Sequence, residues 1–314
     1  MAQPSAPLWY DLPAKVIWHG DRPLVEIRRV QPEQLLLPFW DDIVSQGTVT
    51  GFHSLDNCTA AVAGVLSGGI FHTYRCGSTL LCRQLLTLPG TFALAEPDCV
   101  SQLITGAEQD PELLRSRLLK LFGLVRHGLG PRGDRLVIKW LGQLADRSGL
   151  IVAALPDVPM LFLHREPVEV LASIERRPLG NMQGVPEHLR FAGAAGDAKS
   201  QELQNVAAML ARMCRATAQT GGIARLDYTD LNPANMALLV GYFGLTVDAA
   251  GLAAMRAAGT WYSKAAAGAI EFKTDSAAKQ SESSALAREL ASAVVAPALR
   301  EAVTSLPHLS AVMQ

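Results

Sequence analysis

The sequence predicts an α/β fold of three layers, a central parallel sheet with helices on both faces. Three observations predict it. Short apolar runs at 69–74, 91–95, 135–139, 159–164 and 223–227 alternate with segments of helical period. Runs that short and that apolar suit strands buried on both faces, and alternation with helices makes the sheet parallel. Arg75, Glu96, Lys139, Arg165 and Asp227–Tyr228 all fall at or just past the ends of these runs, where such sheets bind ligands. Finally, the first run leads into Arg75-Cys76-Gly77-Ser78-Thr79, and a helical pattern (Leu80, Leu81, Leu85, Leu86) follows at once. A strand, a tight Gly-Ser-Thr turn and a helix start form an anion cradle. Free N–H groups of the first turn and the helix dipole face the anion. Arg75 adds a full charge there, and Ser78 and Thr79 add hydroxyl donors.

The elements follow in order. Residues 1–65 have no strong period and concentrate Trp9, Tyr10, Trp18, Phe39 and Trp40. They read as an extension packed over the core, with a share in an acceptor pocket wall as the other reading. The main domain is expected over 66–314. Helices are expected at 79–88, 99–126 with a break, 141–153, 167–176, 199–219 and 232–243, with a terminal amphipathic helix at 284–303. Pro167 suits the first turn of its helix. Residues 177–200 have few periodic apolar positions and read as a mobile lid, an acceptor loop or a surface connection.

Composition narrows the function. The 314 residues are 49% apolar and 18% charged with net charge −1, enough for a large core. No concentrated basic run exists, which argues against a nucleic-acid partner. No apolar stretch approaches the roughly 18 residues a membrane span needs. The nearest, Gly149–Leu163, is interrupted by Pro156, Asp157 and Pro159. The start, Met-Ala-Gln-Pro-Ser-Ala-Pro, lacks a signal-peptide pattern. Five cysteines (58, 76, 82, 99 and 214) lack metal-ligand spacing and read as free thiols, which implies a cytoplasmic location. No metal site is expected.

The 69–83 segment is not the phosphate loop of nucleoside triphosphatases, because no Lys precedes Ser78-Thr79. In order, Arg75, Cys76, Gly77, Ser78 and Thr79 resemble the 5′-phosphosulfate loop of sulfotransferases. These enzymes use 3′-phosphoadenosine 5′-phosphosulfate (PAPS), and Arg-Cys-Gly-Ser-Thr-Leu resembles a bacterial branch of them. A second segment, Met160-Leu-Phe-Leu-His-Arg-Glu-Pro-Val-Glu-Val-Leu-Ala-Ser173, resembles the family's 3′-phosphate motif, which places Arg165 and Ser173 on that phosphate. A third, Ile223–Leu231, resembles the family's Tyr-Glu-Asp-Leu strand end and places Tyr228 near the adenine. The matches come in family order over roughly residues 68–245.

The resemblance implies a P-loop-like sulfotransferase fold, and cofactor contacts from Arg75, Cys76, Gly77, Ser78, Thr79, Leu80, Arg165, Ser173 and Tyr228. Lys264 and Lys273 are candidates for a basic segment over the 3′-phosphate, although the family's Arg-Lys-Gly triplet is missing. PAPS is the implied sulfuryl donor and 3′-phosphoadenosine 5′-phosphate (PAP) the product, with no metal. The acceptor is a small molecule or a carrier-tethered metabolite bearing a hydroxyl or amine.

Sulfuryl transfer requires in-line positioning and cations on the leaving bisphosphate, by analogy with phosphoryl transfer. The resemblance makes Arg75 and Lys139 the expected catalytic cations. Glu96, which resembles an acidic base after the second strand in some branches, is the candidate base. Cytosolic animal members carry a catalytic His two residues after the Lys of the third strand; here Leu141 stands there. His72 and His164 read as structural, and Cys76 as a compact loop residue. The rivals are an inactive homologue that binds the nucleotide and a nucleotide-dependent kinase, which the missing phosphate-loop Lys disfavours.

Overall fold

The computed structural model describes residues 9–58, 65–106, 110–179, 190–260 and 276–314. Lys264 and Lys273 lie outside these residues. The central sheet consists of β4 (Leu66–His72), β5 (Thr91–Ala95), β6 (Arg135–Lys139), β7 (Met160–His164) and β8 (Ile223–Asp227). Its order is β5-β6-β4-β7-β8 with all pairs parallel. The strand at the centre, β4, is thus the one whose C-terminal loop carries Arg75–Gly77.

Alternation along these strands builds two cores. Phe71, Leu136, Ile138, Met160 and Phe162 enter one apolar cluster, and Ile70, Val137, Leu161, Leu163 and Leu226 enter the other. The first is closed by α4 (Pro111–Leu129), α5 (Ser148–Ala154), α7 (Ala198–Ala218) and α12 (Ala296–Ser305). The second is closed by α2 (Ser78–Leu85), α8 (Pro233–Tyr242) and α9 (Ala249–Gly259). The three-layer α/β/α arrangement follows, because every central strand must bury both faces. Gly68 lets α8 approach: a Cβ there would fall 2.2 Å from the Phe243 ring.

Residues 9–58 form more regular structure than their pattern suggests. β1 (Tyr10–His19), β2 (Arg22–Val30) and β3 (Thr48–Ser54) form a separate antiparallel sheet, with α1 (Trp40–Ser45) between the last two. The outer edge of β1 is covered by side chains. The Pro13 carbonyl accepts from Trp40 Nε1 at 2.9 Å, and the Val16 N–H donates to Gln102 at 2.7 Å. Gln102 belongs to α3 (Asp98–Gly106), so this sheet is joined to the main domain through buried contacts.

Helix boundaries shift where the chain has another duty. The helix expected at 141–153 begins only at Ser148, after a 3₁₀ turn at Gly142–Arg147. The Gln143 N–H in that turn donates to the Tyr74 hydroxyl at 3.0 Å, so this backbone braces the loop after β4. The helix expected at 284–303 is observed as α11 (Ala285–Leu290), a π turn at Ala291–Val295 and α12. Pro297 lies in the first turn of α12; it has no N–H to give to the preceding turn, which accounts for the local widening.

Candidate active site

The loop from β4 to α2 is held in an unusual backbone shape. Tyr74 and Arg75 have φ of 56° and 46°, and Gly77 has φ of 84°. Two consecutive non-glycine residues in the left-handed region cost about 1–3 kcal/mol each, so the surroundings must enforce the conformation. They do. The Tyr74 N–H donates to His72 Nδ1 at 3.2 Å, and the Arg75 carbonyl accepts from Arg165 Nη1 at 3.3 Å. Arg75 Nη2 in turn donates to the Arg177 carbonyl at 2.7 Å.

Gly77 is the N-cap of α2 and brings no capping side chain, so the first-turn N–H groups of Thr79 and Leu80 lack the usual side-chain cap. A Cβ on Gly77 would lie 2.9 Å from both Tyr228 and Leu231. A glycine is therefore required twice, for its φ and for this approach. An uncapped helix start beside Arg75 is a donor set that fits a phosphate or sulfate.

On one side of the loop lies a buried charge cluster. Lys139, at the end of β6, is 1% exposed. Its Nζ is 2.6 Å from Glu96 Oε1, and it donates to Thr79 Oγ1 at 3.1 Å. Phe39 lies against the ammonium at 5.0 Å. Glu96, just past β5, is itself left-handed (φ 54°). His72 Nε2 lies 3.1 Å from the Trp140 carbonyl and 3.4 Å from Glu96 Oε1. A carbonyl only accepts, so Nε2 carries a proton. Burial raises the Glu96 pKa, but Lys139 and His72 outweigh it and hold the carboxyl far below the usual carboxylate range. Burial likewise opposes ionisation of Cys76, yet His72, the Ser78 N–H and Lys139 draw the thiol below its ordinary value.

On the other side lies a second cluster. Arg165 is 5% exposed. Its Nε and Nη2 donate to Glu169 Oε2 at 2.6 and 2.5 Å, and its face lies over the Tyr228 ring at 4.1 Å. Glu169 belongs to α6 (Pro167–Arg176). Beside it, His164 Nδ1 is 3.2 Å from Asp227 Oδ2. The Asp227 carboxyl is lowered to about 2: burial raises it, and His164 and Thr229 more than compensate.

The expected residues therefore converge, with exceptions. Arg75, Cys76, Gly77, Ser78, Thr79 and Leu80 form the loop and the first turn of α2. Glu96 and Lys139 are partners in one ion pair. Arg165 touches both the loop and Tyr228, and Tyr228 packs on Gly77. Ser173 sits half-buried on α6, four residues past Glu169, and its hydroxyl has no hydrogen-bond partner among the described residues. Phe39 reaches the site from the N-terminal region, whereas Trp40 and Tyr10 are core residues.

Sequence reasoning missed Glu169, although its i,i+4 spacing from Arg165 was the available signal. Among the described residues no cluster of His, Cys, Asp and Glu could hold a metal ion, and no helix is long and apolar enough to cross a membrane.

No protein-family model matches the chain, and no curated protein matches it. Among solved structures it is similar to a sulfotransferase domain from the curacin biosynthetic pathway, with 14% identity over 74% of this chain and 97% of that one and a TM-score of 0.44. It is also similar to a sulfotransferase domain from the Synechococcus PCC 7002 olefin synthase, with 14% identity over 76% and 94% of the two chains and a TM-score of 0.42. Overlaps this loose leave the site to be read from its own geometry.

Proposed function

We propose that the protein is a sulfotransferase that takes a sulfuryl group from PAPS. The acceptor is a hydroxyl or amine on a small or carrier-tethered metabolite. One observation carries this reading. Three segments that resemble family motifs, far apart in the chain, meet within contact distance: Arg165 touches the Arg75 carbonyl and the Tyr228 ring, and that ring packs on Gly77. PAPS, when bound, supplies an activated sulfuryl group and a bisphosphate leaving group.

The chain's own residues have separate duties. The first turn of α2, with Arg75, holds the 5′ side, and Lys139, which already reaches Thr79, adds positive charge there. Arg165 and Ser173 hold the 3′-phosphate, and Tyr228 flanks the adenine. Glu96 takes the proton of the acceptor. Five free thiols fit a cytoplasmic location.

A second reading, a PAPS- or PAP-binding protein without turnover, is favoured by the Lys139–Glu96 pair. A carboxylate held so far below its usual range is a weak base, and Leu141 replaces the alternative His.

Thermal melting tests the ligand. A ligand specific to the folded state stabilises it by about 2.7 kcal/mol at a hundredfold excess over Kd. PAP is expected to raise the melting temperature clearly without magnesium, adenosine 5′-phosphate much less, and ATP with magnesium no more than PAP. Strong stabilisation by ATP–magnesium with none by PAP overturns the proposal in favour of a kinase. Turnover of PAPS in the presence of acceptors separates the enzyme from the binding protein.

A further inference from the structure

A guanidinium on a flexible stem recognises a phosphate well only if its plane is fixed beforehand. Arg165 is fixed from three sides: Glu169 Oε2 takes Nε and Nη2, the Arg75 carbonyl takes Nη1, and Tyr228 lies against the face. Of these, only Glu169 carries charge.

Glu169 is 5% exposed, and the other buried residues of α6, Pro167, Val170, Leu171, Ala172 and Ile174, are all apolar. An apolar residue there would spare the desolvation of a carboxylate. The carboxylate's two oxygens also have divided work. Oε2 serves Arg165, and Oε1 accepts from Gln280 Nε2 at 2.8 Å. Gln280 sits on α10 (Ser276–Ser281), more than a hundred residues away. The second contact stops the carboxylate from rotating, so the plane of Arg165 is set by a chain of three side chains.

We infer that Glu169, braced by Gln280, is the positioning residue that orients Arg165 and sets the preference for a 3′-phosphorylated over a 3′-hydroxyl adenosine ligand. The inference rests on the sulfotransferase reading above.

Calorimetric titration tests it, with PAP and adenosine 5′-phosphate as probes and the ratio of their Kd values as the readout. Wild type is expected to prefer PAP by about ten- to a hundredfold, the range for hydrogen bonds to a charged group. If wild type shows no preference, the sulfotransferase reading itself fails, whatever Glu169 does. Given that preference, Glu169→Gln keeps an acceptor for both Arg165 donors and is expected to hold the ratio within about threefold. Glu169→Ala is expected to reduce it about tenfold or more, and Gln280→Ala about two- to fivefold.

An unchanged ratio in Glu169→Ala with a lower melting temperature means a structural role only and overturns the inference. A ratio that rises in both Glu169 variants means that the carboxylate repels the phosphate, and overturns it too. Should Glu169→Ala not fold, Gln280→Ala decides, because Gln280 is exposed: an unchanged ratio there overturns the inference.

Discussion

Two buried ion pairs flank the loop after β4, and they are built in opposite ways. Glu96–Lys139 is assembled by topology: β5 and β6 lie in register with Ala95 opposite Lys139, and Glu96 is the next residue. Arg165–Glu169 is assembled within one stretch of chain, across one turn at the start of α6. In the first pair the cation also reaches the loop through Thr79; in the second it braces the Arg75 carbonyl. Each pair thus links a charge to the anion cradle and supplies a counter-charge that makes burial tolerable. The counter-charges differ in fate. Glu169 holds Arg165 and is held in turn by Gln280, whereas Glu96 is the proposed base, and Lys139 makes it reluctant to take a proton.

The largest expected effect comes from breaking the first pair. Glu96→Gln is expected to cut turnover by about two to four powers of ten with little change in PAP affinity, as loss of a base should. It also leaves Lys139 buried without a counter-charge, a change that costs up to about 3–5 kcal/mol of stability. The double variant Glu96→Gln/Lys139→Met separates the two effects: chemical denaturation is expected to show recovered stability, and turnover assays none. Near wild-type turnover in the single variant removes Glu96 from the mechanism.

Breaking the second pair should act on binding. Arg165→Ala is expected to weaken PAP by about 1.5–3 kcal/mol, the range for charged hydrogen bonds. The loss should be larger than for adenosine 5′-phosphate. Because Arg165 also secures the left-handed Arg75, the free protein should melt lower as well. PAP binding equal to wild type in a titration would show that the second segment does not hold the 3′-phosphate.

Much of this frame was legible in the sequence. The central strands at 91–95, 135–139 and 223–227 are observed at those residues, because a short run buried on both faces leaves little choice of bounds. The loop residues were legible for the same local reason, a Gly-Ser-Thr turn between a strand and a helix. The N-terminal sheet was not. β2 (Arg-Pro-Leu-Val-Glu-Ile-Arg-Arg-Val) interleaves charges with its apolar positions, and a bulge at Pro13/Lys15 breaks the alternation of β1. The Gly20–Asp21 turn between them, with Gly20 at φ 65°, was the available hairpin signal. Glu96 and Lys139 were each legible as strand-end charges, but their pairing was not, since it depends on which strands become neighbours.

A third contact, between His164 and Asp227, sharpens the comparison by pH. The His164–Asp227 contact spans β7 and β8, as Glu96–Lys139 spans the other side of the sheet. The folded-state pKa of Asp227 lies near 2, below its unfolded value near 3.9. Its contribution to stability is therefore complete above about pH 4 and is lost as the pH falls through about 2. Asp227 is partly exposed, so the contribution is at most about 1–2 kcal/mol. Urea unfolding measured between pH 5 and pH 2 should show an acid limb that Asp227→Asn flattens. An identical limb in the variant would assign the acid sensitivity to the other carboxyls held low, Glu96 among them.

The smallest expected effect is at Ser173. The side chain is half-buried on α6, one turn beyond Glu169, and so lies on the same face of the helix. With no hydrogen-bond partner for it among the described residues, Ser173→Ala removes nothing that holds the free protein together. The stability of the free protein should change by no more than a neutral substitution does, about 0.5 kcal/mol. PAP affinity should fall by about 0.5–1.5 kcal/mol, the net value of one hydrogen bond, and affinity for adenosine 5′-phosphate should not change. A variant that melts lower yet binds PAP as wild type makes the hydroxyl structural. The second anion site would then rest on Arg165 alone, and the two sides of the loop would differ more than their matched ion pairs suggest.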